Sequence, residues 1–196
     1  MSKLGQTPSQ TVGPYFAYGL TPTQYGYPLK SAAGPEVEGL AEAGGPRIRL
    51  EGRVLDGQGA VIEDAMLEIW QADAQGRYPG APGGANSGFT GFARCGTGTA
   101  PDKSYRFETV KPGCAEPGSA PHINMIVFSR GLLSHAYTRV YFDDEATANN
   151  SDPVLALVPK DRRNTLIAKR LETDQGIVYC FDIRMQGDGE TVFFDL

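Results

Sequence analysis

Glycine and proline interrupt this sequence so often that few uninterrupted segments are long enough for a typical helix. The chain holds 25 glycines and 14 prolines among its 196 residues. Between them lie short segments in which apolar and polar side chains alternate, as at residues 47–54 and 65–70. Alternation with a period of two is typical of strands with one buried face. The sequence therefore predicts a mainly β fold, an antiparallel β-sandwich with an irregular N-terminal arm and a few short helices.

Other segments complete this prediction. Further strands are expected at residues 105–110, 123–129 and 137–142, and a final hairpin at residues 165–170 and 177–185. The acidic residues 143–145 indicate the start of a short helix, because carboxylates stabilise the positive end of the helix dipole. Residues 152–158 predict another short helical turn that ends before Pro159.

The first 46 residues show no such alternation, and turn-forming residues are mixed there with polar ones. A structureless segment of this length is unusual in a small domain. We therefore expect residues 1–46 to form an N-terminal arm and irregular segment that is either disordered or held by another part of the assembly, such as a partner chain. Residues 47–196 are expected to form the β-sandwich core.

Charge and composition exclude several classes of function. A net charge of −5 offers no basic surface for nucleic acid or for an anionic membrane. No apolar run approaches the length of a membrane span, and the first residues lack the apolar segment of a signal peptide. The three cysteines, Cys95, Cys114 and Cys180, are odd in number and widely spaced. This pattern favours free thiols in a reducing compartment, so we expect a cytoplasmic protein.

The segment His122-Ile123-Asn124 carries the strongest chemical signal. It follows a Lys-Pro-Gly turn at residues 111–113 and a loop rich in proline and glycine. Side chains two residues apart on a strand point to the same face, so His122 and Asn124 should face the same way. Two histidines in this arrangement would direct two imidazoles at one metal ion. Asparagine at the second position removes one of them.

Several motifs in register resemble the intradiol ring-cleavage dioxygenases. They are residues 51–78, Lys-Pro-Gly at 111–113, Ala-Pro-His-Ile-Asn at 120–124 and Thr-Arg-Val-Tyr-Phe-Asp-Asp-Glu at 138–145. Thr-Pro-Ser-Gln-Thr-Val-Gly-Pro-Tyr at 7–15 and the segments 181–184 and 189–195 narrow the resemblance to the subunit type that lacks its own iron. The resemblance covers nearly the whole chain and implies the fold of that family.

The resemblance also implies how iron would be bound. The catalytic chains of this family hold ferric iron with two tyrosinates and two histidines. Tyr78 and His122 match one ligand of each kind, but Cys114 stands where the second tyrosine is expected and Asn124 replaces the second histidine. Ferric iron prefers several anionic oxygen ligands. We therefore expect Tyr78, His122 and Asn124 to be vestigial metal positions in a chain with no metal and no catalytic residue.

By the same resemblance, a homologous iron-bearing beta subunit would bind the Fe³⁺ and pair with this chain in a larger hetero-oligomer. The substrate would be 3,4-dihydroxybenzoate (protocatechuate), cleaved with O₂ to 3-carboxy-cis,cis-muconate in a pocket at the interface. Thr11, Gly13, Pro14 and Tyr15 would line the pocket entrance. The Arg130 guanidinium would attract the substrate carboxylate by charge-assisted hydrogen bonds.

Two other functions agree with the sequence. In the first, the chain is a self-sufficient intradiol dioxygenase in which His135 and either Tyr137 or Tyr141 complete an atypical iron site. In the second, it is a non-enzymatic, prealbumin-like binding sandwich, because the pattern Gly-x-Val-x-Asp-x-x-Gly also opens such domains. For Arg130, the alternative to substrate binding is an ion pair with an acidic residue at the surface or at an interface.

Overall fold

A computed structural model describes residues 5–82, 84 and 88–195. The α-helices are all short: α1 (Phe16–Leu20), α2 (Leu40–Ala43), α3 (Ala146–Ser151) and α4 (Pro153–Leu157). The strands are β1 (Arg47–Gly52), β2 (Val54–Leu55), β3 (Met66–Trp70), β4 (Phe92–Gly96), β5 (Tyr105–Val110), β6 (His122–Phe128), β7 (Ala136–Phe142), β8 (Ile167–Thr173), β9 (Gly176–Cys180) and β10 (Ile183–Arg184). Single 3₁₀ turns occur at Asp143–Glu145 and Arg163–Leu166. None of the described helices is long and apolar enough to cross a membrane.

Eight of these strands form one curled sheet in the order β4-β3-β6-β7-β8-β9-β1-β5, and β2 pairs separately with β10. Most neighbours in the large sheet are antiparallel, but β7 pairs with β8 and β1 pairs with β9 in parallel. The β7–β8 pairing is confined to Tyr141↔Ile167 and Phe142↔Ala168. The end strands β4 and β5 also contact one another, so the sheet is nearly closed.

The hydrophobic core lies inside this curl. Leu50, Leu67, Phe107 and Met125 come from four different strands, and all four are fully buried. Burying one such side chain stabilises the fold by about 1.5–3 kcal/mol relative to leaving it exposed. Because inward and outward residues alternate along each strand, the opposite face of the sheet is left for polar residues and covering loops.

A segment of the N-terminal arm closes the gap between the two end strands. The amide of Arg94 in β4 donates a hydrogen bond to Gly34 O at 2.8 Å, and the amide of Glu108 in β5 donates to Pro35 O at 3.0 Å. The amide of Val37 donates back to Glu108 O at 3.0 Å, and its side chain is buried in the core. This part of the arm therefore supplies main-chain hydrogen bonds to both edges of the sheet.

The prediction of a mainly β fold with a few short helices is confirmed, and the segment predicted at residues 105–110 coincides with β5. The segment predicted as one strand at residues 47–54 is interrupted at Arg53, whose amide donates to the Asp182 carboxylate at 2.8 Å instead of continuing the ladder. Strand β4 was not predicted. The division of the chain into residues 1–46 and 47–196 stays a prediction.

Candidate functional site

The N-terminal arm and the end of β6 meet at one groove. The amide of Gly131 donates a hydrogen bond of 2.8 Å to the Thr11 hydroxyl, which fixes the arm beside Arg130. Pro14, Tyr15 and Arg130 all line a groove of about 710 Å³ at this junction. Residues that lie more than a hundred positions apart in sequence are thus brought together, and they are the residues for which the resemblance implies a role in substrate binding.

Local contacts determine the course of the arm beyond this point. Helix α1 begins after Tyr15, a residue that is 79% exposed. The rings of Tyr18 and Tyr25 pack at a centroid distance of 4.4 Å. The Gln24 amide both accepts a hydrogen bond from the Gly96 amide at 2.9 Å and donates one to the Gly96 carbonyl at 2.8 Å. Gln24 therefore binds the edge of β4 much as a neighbouring strand would.

Arg130 is held by a carboxylate to which no sequence motif points. Its Nε donates a hydrogen bond to the Asp64 carboxylate, while the Arg130 side chain remains 56% exposed. Among the residues that the structure describes, the two Nη atoms have no hydrogen-bond partner. The register of β3 against β6, which places Met66 opposite Phe128, is the signal that could have revealed this pair. An exposed pair contributes only about 0–1 kcal/mol to stability, so its main effect is to orient the guanidinium.

The predicted vestigial positions lie on the outer face of the same sheet, and Asn124 and Tyr78 contact each other directly. The Asn124 side-chain nitrogen donates to the Tyr78 hydroxyl at 3.0 Å and to Trp70 O at 3.2 Å. The rings of Tyr78 and Trp70 stack at 5.9 Å with an interplanar angle of 20°. Burial raises the pKa of the Tyr78 phenol despite the opposing effect of the Asn124 hydrogen bond, so the hydroxyl keeps its proton at neutral pH.

His122 lies on β6, two residues before Asn124. Its Nδ1–H donates to Ala120 O at 2.9 Å, which leaves Nε2 as an acceptor. The residue is only 8% exposed, and burial lowers the pKa of the imidazole below its ordinary value. The charge of Arg139 on the neighbouring strand acts in the same direction. His122 is therefore neutral at pH 7.

The position at which a second tyrosine was expected carries an exposed cysteine side chain. The backbone at Cys114 passes so close to Gly76 that a Cβ at Gly76 would lie 1.9 Å from Cys114 O. Further along the loop, the Ala120 amide donates a hydrogen bond of 2.8 Å to Asp152, the residue that precedes α4. The Asp152 carboxylate also accepts a hydrogen bond from the Tyr141 hydroxyl at 3.1 Å. These contacts hold the loop against the sheet. Position 114 carries a thiol and not the phenol of a tyrosine.

The donor set does not fit ferric iron. One phenol, one imidazole and one neutral amide are a poor replacement for two tyrosinates and two imidazoles. The described residues include no group of three or more His, Cys, Asp or Glu side chains that could hold a metal ion.

The atypical iron site with His135 is contradicted by the strand register. Tyr141 lies opposite His122, and His135 is six residues from Tyr141 toward the other end of β7. At roughly 3.3 Å per residue, His135 is about 20 Å from His122. The Tyr137 ring packs on His135 at that distant end. The Tyr141 hydroxyl is engaged by Asp152, and burial raises the pKa of Tyr141 to about 12.

A family model described as Dioxygenase matches residues 12–187. The chain belongs to this dioxygenase family. The resemblance to intradiol ring-cleavage dioxygenases is therefore confirmed.

Three relatives show which branch of the family is most similar. The protocatechuate 3,4-dioxygenase alpha chain of Burkholderia cepacia is 58% identical over 100% of both chains. The alpha chain of the Pseudomonas putida enzyme is 46% identical over 98% of this chain and 97% of the relative. The beta chain of the Burkholderia cepacia enzyme is 33% identical over 75% of this chain and 67% of the relative. The chain is thus similar to both subunit types of such enzymes and more similar to the alpha type.

Solved structures of the family share the fold. Catechol 1,2-dioxygenase from Acinetobacter sp. ADP1 superimposes with a TM-score of 0.60 at 20% identity, covering 87% of this chain and 65% of that chain. An intradiol ring-cleavage dioxygenase from Tetranychus urticae gives a TM-score of 0.60 at 18% identity, covering 92% of this chain and 94% of that chain. At these identities the similarity describes the architecture alone.

Proposed function

We propose that this chain is the iron-free alpha subunit of a protocatechuate 3,4-dioxygenase. It completes a pocket on a homologous beta subunit that binds Fe³⁺ and carries the chemistry. The reaction is the cleavage of 3,4-dihydroxybenzoate with O₂ to 3-carboxy-cis,cis-muconate. The family membership and the alpha-chain relatives support this assignment, as does a donor set that fits ferric iron poorly.

The observation that carries the proposal is the docking of the arm beside Arg130. The hydrogen bond from Gly131 to Thr11 places Pro14 and Tyr15 at the edge of a groove that also holds the guanidinium. Arg130 presents two Nη atoms beyond its contact with Asp64, and a planar guanidinium suits a carboxylate. In the assembly, this group attracts and orients the carboxylate of 3,4-dihydroxybenzoate.

The other arm residues support an entrance role. A Cβ at Gly13 would meet no atom of the described chain within 4 Å, so packing inside the subunit does not explain the glycine. A glycine here allows close approach of another backbone, and Pro14 limits the conformations of the arm. Tyr15 and Thr11 offer hydroxyl groups. We assign these four residues to the pocket entrance at the interface with the beta subunit.

Two finer features belong to the same proposal. The three cysteines are free thiols, which is typical of a reducing compartment, and we infer a cytoplasmic location. The curled sheet consists of two four-stranded halves, β4-β3-β6-β7 and β8-β9-β1-β5, which pair through the short β7–β8 ladder and have the core between them. We infer that the halves act as the two layers of a β-sandwich.

The test uses the complex with the beta subunit and two substrates. Arg130→Ala is expected to raise KM for 3,4-dihydroxybenzoate about tenfold to a hundredfold, because a charge-assisted hydrogen bond is lost. Catechol lacks the carboxylate, so its KM should not change. The iron content of the complex should also stay constant, since the metal belongs to the partner.

Arg47→Ala provides the matched control. Arg47 is exposed at the start of β1, and strands β7, β8 and β9 separate β1 from β6 in the order of the sheet. This variant should leave both KM values unchanged. An unchanged KM for 3,4-dihydroxybenzoate in the Arg130 variant, or an equal rise for both substrates, would overturn the assigned role of Arg130.

A further inference from the structure

A row of three side chains crosses neighbouring strands at the vestigial metal positions. The register of β3 against β6 places Trp70 opposite Asn124, and the register of β6 against β7 places Asn124 opposite Arg139. Residues directly opposite one another point to the same face of a sheet, with Cβ atoms about 4.5–5.5 Å apart. His122 is a diagonal neighbour of Arg139 in the same register. The guanidinium therefore lies among the residues at which the family resemblance places iron ligands.

The charge of Arg139 is not neutralised inside the described part of the chain. Arg139 is half-buried and forms no ion pair with a carboxylate of the described residues. Asp152, the buried carboxylate on this side of the sheet, is already engaged by main-chain amides and by the Tyr141 hydroxyl. Glu116 is close enough to influence the pKa values of Tyr78 and His122, but it is exposed and lies beyond ion-pair distance of Arg139. A half-buried cation without a counter-ion attracts anions.

The surrounding groups suit an oxyanion better than a metal. The Tyr78 hydroxyl accepts from Asn124, and its own proton is donated to none of the residues that the structure describes. A guanidinium at this place repels ferric iron, whereas its paired N–H groups match a carboxylate. The family's bound cation is thus replaced by a cationic side chain.

We propose that the face formed by Arg139, Tyr78 and Asn124 is a binding site for a small organic carboxylate. The Arg139 guanidinium supplies the charge and the Tyr78 hydroxyl supplies a further donor. This site is separate from the groove at Arg130 and does not depend on the role proposed for that groove.

Trp70 makes the proposal directly testable, because it is the only tryptophan of the chain and its ring stacks on Tyr78. The experiment titrates the full chain with benzoate and measures tryptophan fluorescence with excitation at the red edge of the absorption band. Benzamide, the uncharged analogue of similar shape, serves as the control ligand. We expect a saturable change in Trp70 fluorescence with benzoate and none with benzamide.

Substitutions locate the binding site. Arg139→Met keeps the length of the side chain but removes the charge, and it should weaken benzoate binding about tenfold or more. Arg139→Lys should retain part of the affinity, and Tyr78→Phe should weaken binding by a smaller factor. Arg47→Met, the same change at an exposed position on β1, should have no effect.

Two outcomes would overturn the proposal. The first is an equal response to benzoate and benzamide, and the second is equal affinity in the Arg139→Met variant and the unchanged chain. Should Arg139→Met fail to fold, Arg139→Lys and Tyr78→Phe decide the question. The site would be excluded if Tyr78→Phe bound benzoate as tightly as the unchanged chain and if Arg139→Lys gave the same titration curve with benzoate as with benzamide.

Discussion

The Tyr78 hydroxyl accepts a hydrogen bond from the Asn124 side-chain nitrogen at 3.0 Å. Tyr78 matches an iron ligand of the family, whereas Asn124 stands where the family has a histidine ligand. Because the amide donates to the phenol oxygen, a lone pair of that oxygen is used within the protein. The same amide nitrogen lies 3.2 Å from Trp70 O, so Asn124 links β6 both to β3 and to the loop that follows β3.

A double-mutant cycle measures this contact. Tyr78→Phe and Asn124→Ala should each lower the free energy of unfolding, and the coupling energy between them should be about 0.5–1.5 kcal/mol. Urea unfolding of the two single variants and the double variant provides the values. A coupling energy near zero would show that the hydrogen bond does not contribute to stability.

Asp152 stabilises the loop that leads to His122. It is 1% exposed and accepts hydrogen bonds from the amides of Ala120, Val154 and Leu155. Asp152→Ala removes the N-cap of α4 and leaves buried donors without a partner, so it should cost about 3 kcal/mol of the free energy of unfolding. Asp161→Ala, at an exposed position, should cost less than about 0.5 kcal/mol. Equal losses in the two variants would contradict this account.

The same carboxylate gives a prediction for acid stability. Burial alone would raise the pKa of Asp152, but the hydrogen bonds from the Leu155 and Ala120 amides outweigh it, and the pKa lies below the ordinary value of 3.8. The unfolded chain therefore binds this proton more readily than the folded chain. The stabilisation is complete above pH 3.8 and is lost as the pH falls through the lower, folded-state pKa. Asp152→Asn should show a weaker loss of stability in this acidic range, measured by urea unfolding.

His122 acts at higher pH. Burial lowers the pKa of its imidazole in the folded state below the ordinary value of 6.5, so the unfolded state binds more protons between these two values. The free energy of unfolding should therefore fall as the pH drops below 6.5, by at most about 1.4 kcal/mol per pH unit for this one group. His122→Gln should flatten the dependence, whereas His135→Gln, at an exposed position, should leave it in place. An unchanged slope in His122→Gln would disprove the assignment.

Gly76 and Gly80 form a matched pair for testing the close approach of the Cys114 loop. Both have positive φ angles, 79° and 78°, so alanine at either position should cost about 1–2 kcal/mol. Only at Gly76 would the new Cβ also meet Cys114 O, and there the loss should be larger by about 1–3 kcal/mol. Thiol labelling of Cys114 should be faster in Gly76→Ala than in Gly80→Ala. Equal losses of stability would show that the loop can move aside freely.

Much of the fold could be predicted from the sequence because strand alternation is a local signal. The segment at residues 105–110 is flanked by turn formers and coincides with β5. Strand β4 was missed because it is short and lies between glycine-rich segments, and its position depends on pairing with β3. The closure of the sheet by Gly34 and Pro35 was not predictable, because it consists of main-chain hydrogen bonds to distant strands.

The candidate site was only partly predictable for the same reason. The motifs identified Tyr78, His122 and Asn124, but the partners of the site residues are set by register. Asp64 lies 66 residues from Arg130 and meets it only because β3 pairs with β6. Arg139 is the one charged residue of β7, and this is a visible signal in the sequence. Its place beside Asn124 follows only from the pairing of β6 with β7.

Iron content and visible spectra of this chain, purified alone and then with the homologous beta subunit, show which subunit binds the metal. We expect the chain alone to contain no iron and to show no tyrosinate-to-iron absorption band, and we expect the band to appear only in the complex. The same band in the isolated chain would make this subunit an iron enzyme in its own right and would disprove its role as an iron-free subunit.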